Sequence, residues 1–327
     1  MKILILTEYG GDIGYGHISR CTSIYQAFEE RGLMPELIVH GENHIEGLLA
    51  GKRYQLFDWI NNRELLIEVL RDCDIAFVDS YLAGAEIYEL VSEQVGAAVY
   101  FDDDLRIDYP KGIVLNGAIS AEELNYPARE GDRYLLGASY FPLRKEFCNV
   151  PVKKIRREVE TLMVTCGGSD MLNLTPAIQT FLNKTYPNLQ KKIIVTRLFS
   201  NLAEIKKLQG DNTELLCDLN AVDFRSVMQD SDIAISAGGQ TLYELASVGV
   251  PTVAICVAEN QLQNISGWNK SGSMEYTEIY RDKRFLSNLD TALKVMMSYD
   301  KRLEYSVKSR ELIDGRGAQR VCDLLLQ

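Results

Sequence analysis

Two Rossmann-like α/β domains in tandem are the fold the sequence predicts, on three observations. Short apolar runs alternate with longer amphipathic stretches; the alternation halts once, over residues 148–160; then it restarts. The 327 residues are long for one core and comfortable for two domains of about 150 each, drawn here as 1–150 and 151–327.

Ile3–Leu6 is a run of β-branched residues and leucine that ends in Thr7-Glu8-Tyr9 and two glycines. Glu36–His40, Ile75–Asp79, Ala97–Phe101, Ile113–Asn116 and Tyr134–Gly137 repeat the theme. Unbroken apolar runs of this kind suit parallel strands covered by helices on both faces. Between the first two, Ser19–Arg31 spaces Cys21, Ile24, Tyr25 and Phe28 so that a helix would turn them toward one core. Residues 148–160 (CNVPVKKIRREVE) are basic, hold Pro151 and lack apolar periodicity, which predicts a linker. Beyond it, Thr161–Thr165, Lys192–Thr196, Glu214–Cys217, Ile233–Ser236 and Thr252–Val257 read as a second set of strands. A closing helix over Arg302–Leu326 has no partner strand; docking back on the N-terminal domain is one place for it, and the sequence does not decide between the domains.

Hydrophobic residues make up 46% and charged residues 25%, ordinary for a folded chain and contrary to disorder or low complexity. The 35 Lys and Arg against 46 Asp and Glu leave a formal charge of −11, which repels a phosphate-rich duplex, and no basic block offsets it. Nucleic acid is therefore not an expected partner. Seven cysteines (Cys21, Cys73, Cys148, Cys166, Cys217, Cys256 and Cys322) are scattered, odd in number and without C-x-x-C spacing, so they read as reduced thiols rather than disulfides or zinc ligands. The opening MKILILTEYGG has no small-residue cleavage site, and no window approaches the roughly 20 apolar residues of a membrane helix. A cytoplasmic chain without membrane insertion is expected; the oligomeric state is not legible.

Open α/β sheets bind ligands beyond the carboxyl ends of their strands, so the loops after the apolar runs carry the interest. The first is Gly10-Gly11-Asp12-Ile13-Gly14-Tyr15-Gly16-His17-Ile18-Ser19-Arg20. Its glycines allow a tight turn and close approach to a ligand, and the helix that follows offers free N–H groups to an anion. It is not the dinucleotide fingerprint, because Ser19 stands where G-x-G-x-x-G needs its third glycine. His17, on the loop-to-helix turn, is a candidate general base for an attacking oxygen at neutral pH; a helix-start histidine bonded to a carbonyl would give the same letters. His40 and His44 have no cysteine or carboxylate at ligand spacing and read as core or surface histidines. Asp79-Ser80-Tyr81 closes one strand and Phe101-Asp102-Asp103-Asp104 another. Asp79 could orient a substrate or steer the histidine, or cap the next helix. One member of the acidic run could matter while the others read as solvated turn residues, and a lone acidic run seldom means a metal.

In the second half, Cys166-Gly167-Gly168-Ser169-Asp170, leading through Asn173 to a helix, and Ser236-Ala237-Gly238-Gly239-Gln240-Thr241 both read as phosphate cradles, although tight helix packing would produce the same strings. Glu244, one turn into the helix that follows, is placed to accept from a ribose diol, and Asn260-Gln261 to donate to a phosphate or sugar oxygen.

Taken together, Gly14–Arg20, Gly167–Asp170 and Ser236–Pro251 followed by Asn260-Gln261 resemble the UDP-sugar hydrolases of pseudaminic acid biosynthesis and their spore-coat polysaccharide relatives. Asp79-Ser80-Tyr81, Phe101-Asp102-Asp103 and Tyr134–Gly137 fit the same pattern, so the resemblance covers most of the chain. Ser236–Pro251 is also similar to the nucleotide-binding segment of the GlcNAc transferase that forms lipid II. The resemblance implies a GT-B fold, two Rossmann-like domains with parallel sheets facing across a cleft that holds the site. It implies cleavage of a UDP-activated diacetamido-trideoxy-altropyranose at the anomeric carbon with inversion, and no metal or other cofactor. His17 would be the base, and Asp79 is the second candidate catalytic residue. Gly238 and Gly239 would lie near the diphosphate, Glu244 at the ribose, and Asn260 and Gln261 at the phosphate and sugar end. Gly14, Gly16, Arg20, Tyr81, Gly168, Ser169, Asn173, Gln240 and Thr241 complete the candidate substrate-binding set. One string departs from the family, Leu6-Thr7-Glu8-Tyr9 in place of an Arg-x-Asp type sequence, which leaves the sugar or acceptor open even with the nucleotide half unchanged. The expected activity is UDP-sugar hydrolysis. An inverting glycosyltransferase that uses an acceptor hydroxyl, or a non-catalytic nucleotide-sugar binder, is the alternative.

Overall fold

Among the described residues, seven strands form one parallel sheet and six a second. The structure, a computed structural model, describes residues 1–10, 16–41, 49–127, 133–277 and 284–327, and at Asn260 the backbone only. The chain divides into two units, Met1–Lys145 with Gly315–Gln327, and Glu146–Asp314.

The first unit runs β1 (Ile3–Tyr9), α1 (Gly16–Glu29), β2 (Glu36–Gly41), β3 (Tyr54–Leu56), α2 (Arg63–Leu70), β4 (Cys73–Asp79), α3 (Ala85–Gln94), β5 (Val95–Phe101), β6 (Ile113–Asn116) and β7 (Arg133–Leu136). Its sheet order is β3-β2-β1-β4-β5-β6-β7, so the chain winds outward from β1 in both directions. The apolar runs are continuous because alternate residues enter two different cores. Ile3, Ile5, Ile75, Phe77, Val99 and Phe101 pack with Ile24 and Phe28 of α1 on one face. Leu4, Leu6, Ala76, Val78, Ala98 and Tyr100 pack with Leu66, Ile87 and Trp59 on the other.

The second unit runs β8 (Thr161–Thr165), α4 (Leu174–Thr185), β9 (Gln190–Val195), α5 (Leu202–Lys207), β10 (Thr213–Cys217), α6 (Ala221–Asp230), β11 (Ile233–Ala237), α7 (Thr241–Val248), β12 (Thr252–Ile255), α8 (Leu262–Ser271), β13 (Glu275–Thr277), α9 (Phe285–Met296) and α10 (Tyr299–Leu312). Its order is β10-β9-β8-β11-β12-β13, which sets the loops after β8 and β11 on neighbouring strands.

Each predicted strand is present, and the structure adds two short edge strands, β3 and β13, whose three residues are too few to show a period. The closing helix is two helices rather than one. α10 ends at Leu312, Gly315 takes a φ of +78°, and α11 (Gly317–Leu325) starts afresh. Ala318, Val321 and Cys322 of α11 complete the core beneath α1, where Arg31 Nε donates to Asp323 at 2.9 Å. The segment 148–160 contains no helix or strand, and it is strapped in place. Arg302, fully buried, donates to the carbonyls of Arg156 and Arg157 at 2.8 Å each, and Arg310 donates to that of Val150 at 2.9 Å. Lys153 lies buried with its ammonium on the carbonyl of Met228, and burial pulls its pKa down to about 8.

Gly317, at the start of α11, lies against the backbone of Phe141, since a Cβ there would stand 2.1 Å from the Phe141 carbonyl oxygen. Backbone cannot yield as a side chain does, so Gly317→Ala is expected to cost about 1–3 kcal/mol. Thermal unfolding against the wild type checks this.

Candidate functional site

The carboxyl edge of the first sheet gathers four of the sequence-predicted residues, His17, Arg20, Asp79 and Tyr81. β4 ends in Asp79, whose side chain is fully buried, and α1 starts beside it. His17 lies in the first turn of α1, and one turn of helix brings Arg20 and Cys21 to the same side. His17 Nδ1 and Asp79 Oδ1 are hydrogen-bonded. Arg20 Nε donates to Asp79 Oδ2 at 2.6 Å and Nη2 to Oδ1 at 2.6 Å, and the Cys21 thiol approaches Oδ2 at 3.5 Å.

Burial would by itself raise the Asp79 carboxyl, but Arg20 and then His17 outweigh it and hold Asp79 well below the usual carboxylate range. An ionised acceptor so close to Nδ1 places the imidazole proton there and leaves Nε2 as the basic nitrogen. The ring is only 3% exposed. Tyr81 stands edge-on to it, centroids 4.4 Å apart at 86°.

Two residues of this cluster were not singled out by the sequence. Asp103 Oδ1 accepts from Arg20 Nη1 at 2.7 Å and Oδ2 from the Tyr81 hydroxyl at 2.6 Å. It is the member of the acidic run that reaches the site. Burial and this carboxylate together push the Tyr81 hydroxyl far up. Asp102, by contrast, is not a solvated turn residue. It is buried and accepts from the amides of Leu105 (2.9 Å) and Arg106 (3.2 Å) and the hydroxyls of Tyr109 (2.9 Å) and Tyr126 (2.5 Å), a donor set that ties down the loop. Glu8, from the departing string, is also fully buried. It accepts from the Ser80 hydroxyl and from the Tyr81 amide at 2.7 Å, and so fixes the turn that carries Tyr81. Neither role is visible in spacing, because the partners lie 22 to 83 residues apart.

Gly16 is the first residue of α1, and a Cβ there would meet nothing within 4 Å. Gly14 and His44 lie outside the described residues, as does the side chain of Asn260. His40 Nδ1 is 3.0 Å from Asp58 Oδ1, a carboxylate neighbour that its surrounding sequence did not suggest.

In the second unit the two glycine loops differ. After β8, Asp170 is buried and its carboxylate accepts from the amides of Leu174 (2.9 Å) and Thr175 (3.0 Å), so the first donors of α4 are already engaged. The Gly168 carbonyl accepts from Thr196 Oγ1 at 2.6 Å, and Ser169 continues the same turn. Asn173 bonds Asn201 and lines an open groove of about 590 Å³ with Ala177, Thr180 and Glu204; the structure does not bring it to the loop after β11.

That second loop is built differently. Gln240 at the start of α7 makes no side-chain cap. Gly238 is held by its amide on the Ile255 carbonyl (2.9 Å) and by Asn264 Nδ2 on its own carbonyl (2.8 Å). A Cβ on Gly238 would stand 2.4 Å from Ile265 Cδ1, whereas one on Gly239 would meet nothing within 4 Å. Gly238 is therefore a packing glycine, while Gly239 has room beside it at the helix start. Gln261 Oε1 accepts from the Val257 amide at 3.1 Å, which leaves its Nε2 as donor beside this loop. Glu244 lies on α7 and is buried, at 3% exposure. Asn264, missed by the sequence reading, accepts from the Tyr243 hydroxyl (2.5 Å) and so locks α7, α8 and the loop together.

Comparison with known proteins places these residues in context. No family model matches the chain. A Helicobacter pylori protein named pseudaminic acid cytidylyltransferase and UDP-2,4-diacetamido-2,4,6-trideoxy-β-L-altropyranose hydrolase is 26% identical over 292 residues, 88% of this chain; the chain spans about half (51%) of that protein's length. The Campylobacter jejuni protein named as that hydrolase is 24% identical over 84% of this chain and 99% of its own. The Bacillus subtilis spore coat polysaccharide biosynthesis protein SpsG is 21% identical over 99% and 98%. Among solved structures, Acinetobacter baumannii MurG matches with a TM-score of 0.66 at 15% identity, over 100% of this chain and 99% of that one. The resemblance read from the sequence is thus borne out, and the fold is GT-B. Among the described residues no helix is long and apolar enough to cross a membrane.

Asp79 makes the site pH-sensitive in a defined direction. Its depressed folded-state pKa contributes stability that is complete above the ordinary carboxylate range of about 4 and is lost as pH falls through the folded value. Asp79→Asn is expected to cost about 3 kcal/mol near pH 7, because it leaves buried partners of a carboxylate uncompensated. In urea titrations that gap should narrow below about pH 4; a constant gap would show that Asp79 is not the ionised partner.

Proposed function

We propose that the protein hydrolyses a UDP-activated amino sugar at its anomeric carbon, in the biosynthesis of a surface glycan. The observation that carries this reading is the His17–Asp79 pair at the carboxyl edge of the first sheet, a buried imidazole whose tautomer is set by an ionised carboxylate. In the proposed step His17 Nε2 takes a proton from water as the water oxygen bonds to the anomeric carbon. The bond from that carbon to the β-phosphate oxygen breaks, UDP leaves with the electron pair, and the free sugar carries the inverted configuration. Asp79 stabilises the imidazolium that forms.

The nucleotide end falls to the second unit. The start of α7, with Gly239, Gln240 and Thr241, is assigned to the diphosphate, and Gln261 Nε2 lies beside that loop. Glu244 is assigned to the ribose. Charge on the leaving group is met by these donors, so the proposed step uses no metal. Water as nucleophile is supported by the names of the two hydrolase relatives. An acceptor hydroxyl in its place is the second reading, favoured by the fold shared with MurG.

Incubation with UDP-activated amino sugars and no acceptor separates the two. Release of UDP is the expected result, and its absence with UDP still bound would turn the assignment to a transferase or a silent binder. His17→Ala should lose about 10²- to 10⁴-fold in turnover with UDP affinity almost unchanged. Glu244→Ala should weaken UDP binding by calorimetry, and an unaltered affinity would remove Glu244 from the site.

A further inference from the structure

We propose that Asp103 is a positioning residue for His17, bridging the ring that covers the imidazole and the cation that shares its carboxylate; this rests on His17 being the base. Asp103 has two oxygens and gives each to a different element. Oδ1 takes Arg20 Nη1 from α1, and Oδ2 takes the Tyr81 hydroxyl from the turn after β4. All three guanidinium nitrogens of Arg20 are thereby committed, Nε and Nη2 to Asp79 and Nη1 to Asp103, with the group seated 5.0 Å over the Phe101 ring.

Tyr81 is held at two points. Glu8 accepts from its amide and Asp103 from its hydroxyl, and between them the ring stands against His17 although the residue is 45% exposed. The circuit His17–Asp79–Arg20–Asp103–Tyr81–His17 closes on itself. A bridge at Asp103 has an electrostatic consequence. Arg20 is divided between two carboxylates, so Asp79 keeps more of its charge for His17 than it would if it faced the guanidinium alone. The groups around the imidazole are Asp79 from β4, Arg20 and the Cys21 thiol from α1, Tyr81 from the turn after β4, Glu8 from β1 behind that turn, and Asp103 from the loop after β5. Neutralising Asp103 removes a nearby negative charge and returns Arg20 to Asp79. Both changes disfavour the imidazolium, so His17 becomes a weaker base.

The test is Asp103→Asn, which preserves the shape, read by NMR titration of the imidazoles. The chain has three histidines, and His17→Gln identifies the resonance. The expected result is a fall of about half a pH unit or more in the His17 midpoint, with the acid limb of kcat/KM for UDP release moving down alongside it. Tyr81→Phe should lower kcat several-fold in the wild type and add little in Asp103→Asn, whereas Asp103→Glu, which keeps the charge, should hold the midpoint near the wild-type value. A midpoint within about 0.1 unit of wild type in a folded Asp103→Asn protein, or additive losses in the double variant, overturns the proposal. Should Asp103→Asn not fold, Asp103→Glu and Tyr81→Phe decide it: a His17 midpoint that falls in Asp103→Glu, or a Tyr81→Phe kcat equal to wild type, overturns it. A wild type that releases no UDP fails the hydrolase reading instead, and the titration still judges Asp103.

Discussion

The buried carboxylate of Asp79 is the group on which the first unit's chemical edge depends. A lone ionised carboxylate out of water is costly, and it persists here because donors from one helix converge on it: the His17 ring, two nitrogens of Arg20 and the Cys21 thiol. Those residues share a face of α1, which starts at Gly16, and β4 delivers Asp79 to the same level. The parallel sheet supplies the rest. Thr7 of β1 pairs in register with Asp79 of β4, so the ends of neighbouring strands come level and their loops meet.

The second unit makes the converse point, that similar strings do different work. Gly167-Gly168-Ser169-Asp170 and Ala237-Gly238-Gly239-Gln240 each follow a strand and lead into a helix. In the first, Asp170 turns its carboxylate back onto the helix amides and so fills the place an anion would take. In the second, Gln240 makes no such cap, and the loop is stiffened from behind by Asn264 and Ile265 of α8. One residue at the helix start decides whether a side chain caps the first amides of the helix, as Asp170 does for α4.

Much of the fold was legible because strands buried on both faces leave continuous apolar runs that few other structures need. Ile3–Leu6 and Ile233–Ser236 are of this kind. The edge strands Tyr54–Leu56 and Glu275–Thr277 left no such mark, being short and covered on fewer sides. The final helix read as continuous because α10 and α11 are both helix-forming and the break lies in four residues around Gly315. At the site, His17 and Asp79 could be named from their places in a glycine-rich string and at the end of an apolar run. Which of Asp102 and Asp103 matters could not, since adjacent acids at one strand end differ only in what they meet: three donors of its own loop and Tyr126 beyond β6 for one, Arg20 and Tyr81 for the other.

The sequence by itself determined the alternation of strand and helix, the pause between two such series and the residue types at the strand ends, because these follow from local propensity and the period of apolar burial. Only the tertiary structure decided partnership: Glu8 with the Ser80–Tyr81 turn, Arg20 between two carboxylates, Asp170 with its own helix rather than a ligand. A hydrogen bond or ion pair depends on distances of about 3 Å between groups far apart along the chain. Those distances are set by how the strands pair and the helices pack, which spacing along the sequence does not encode.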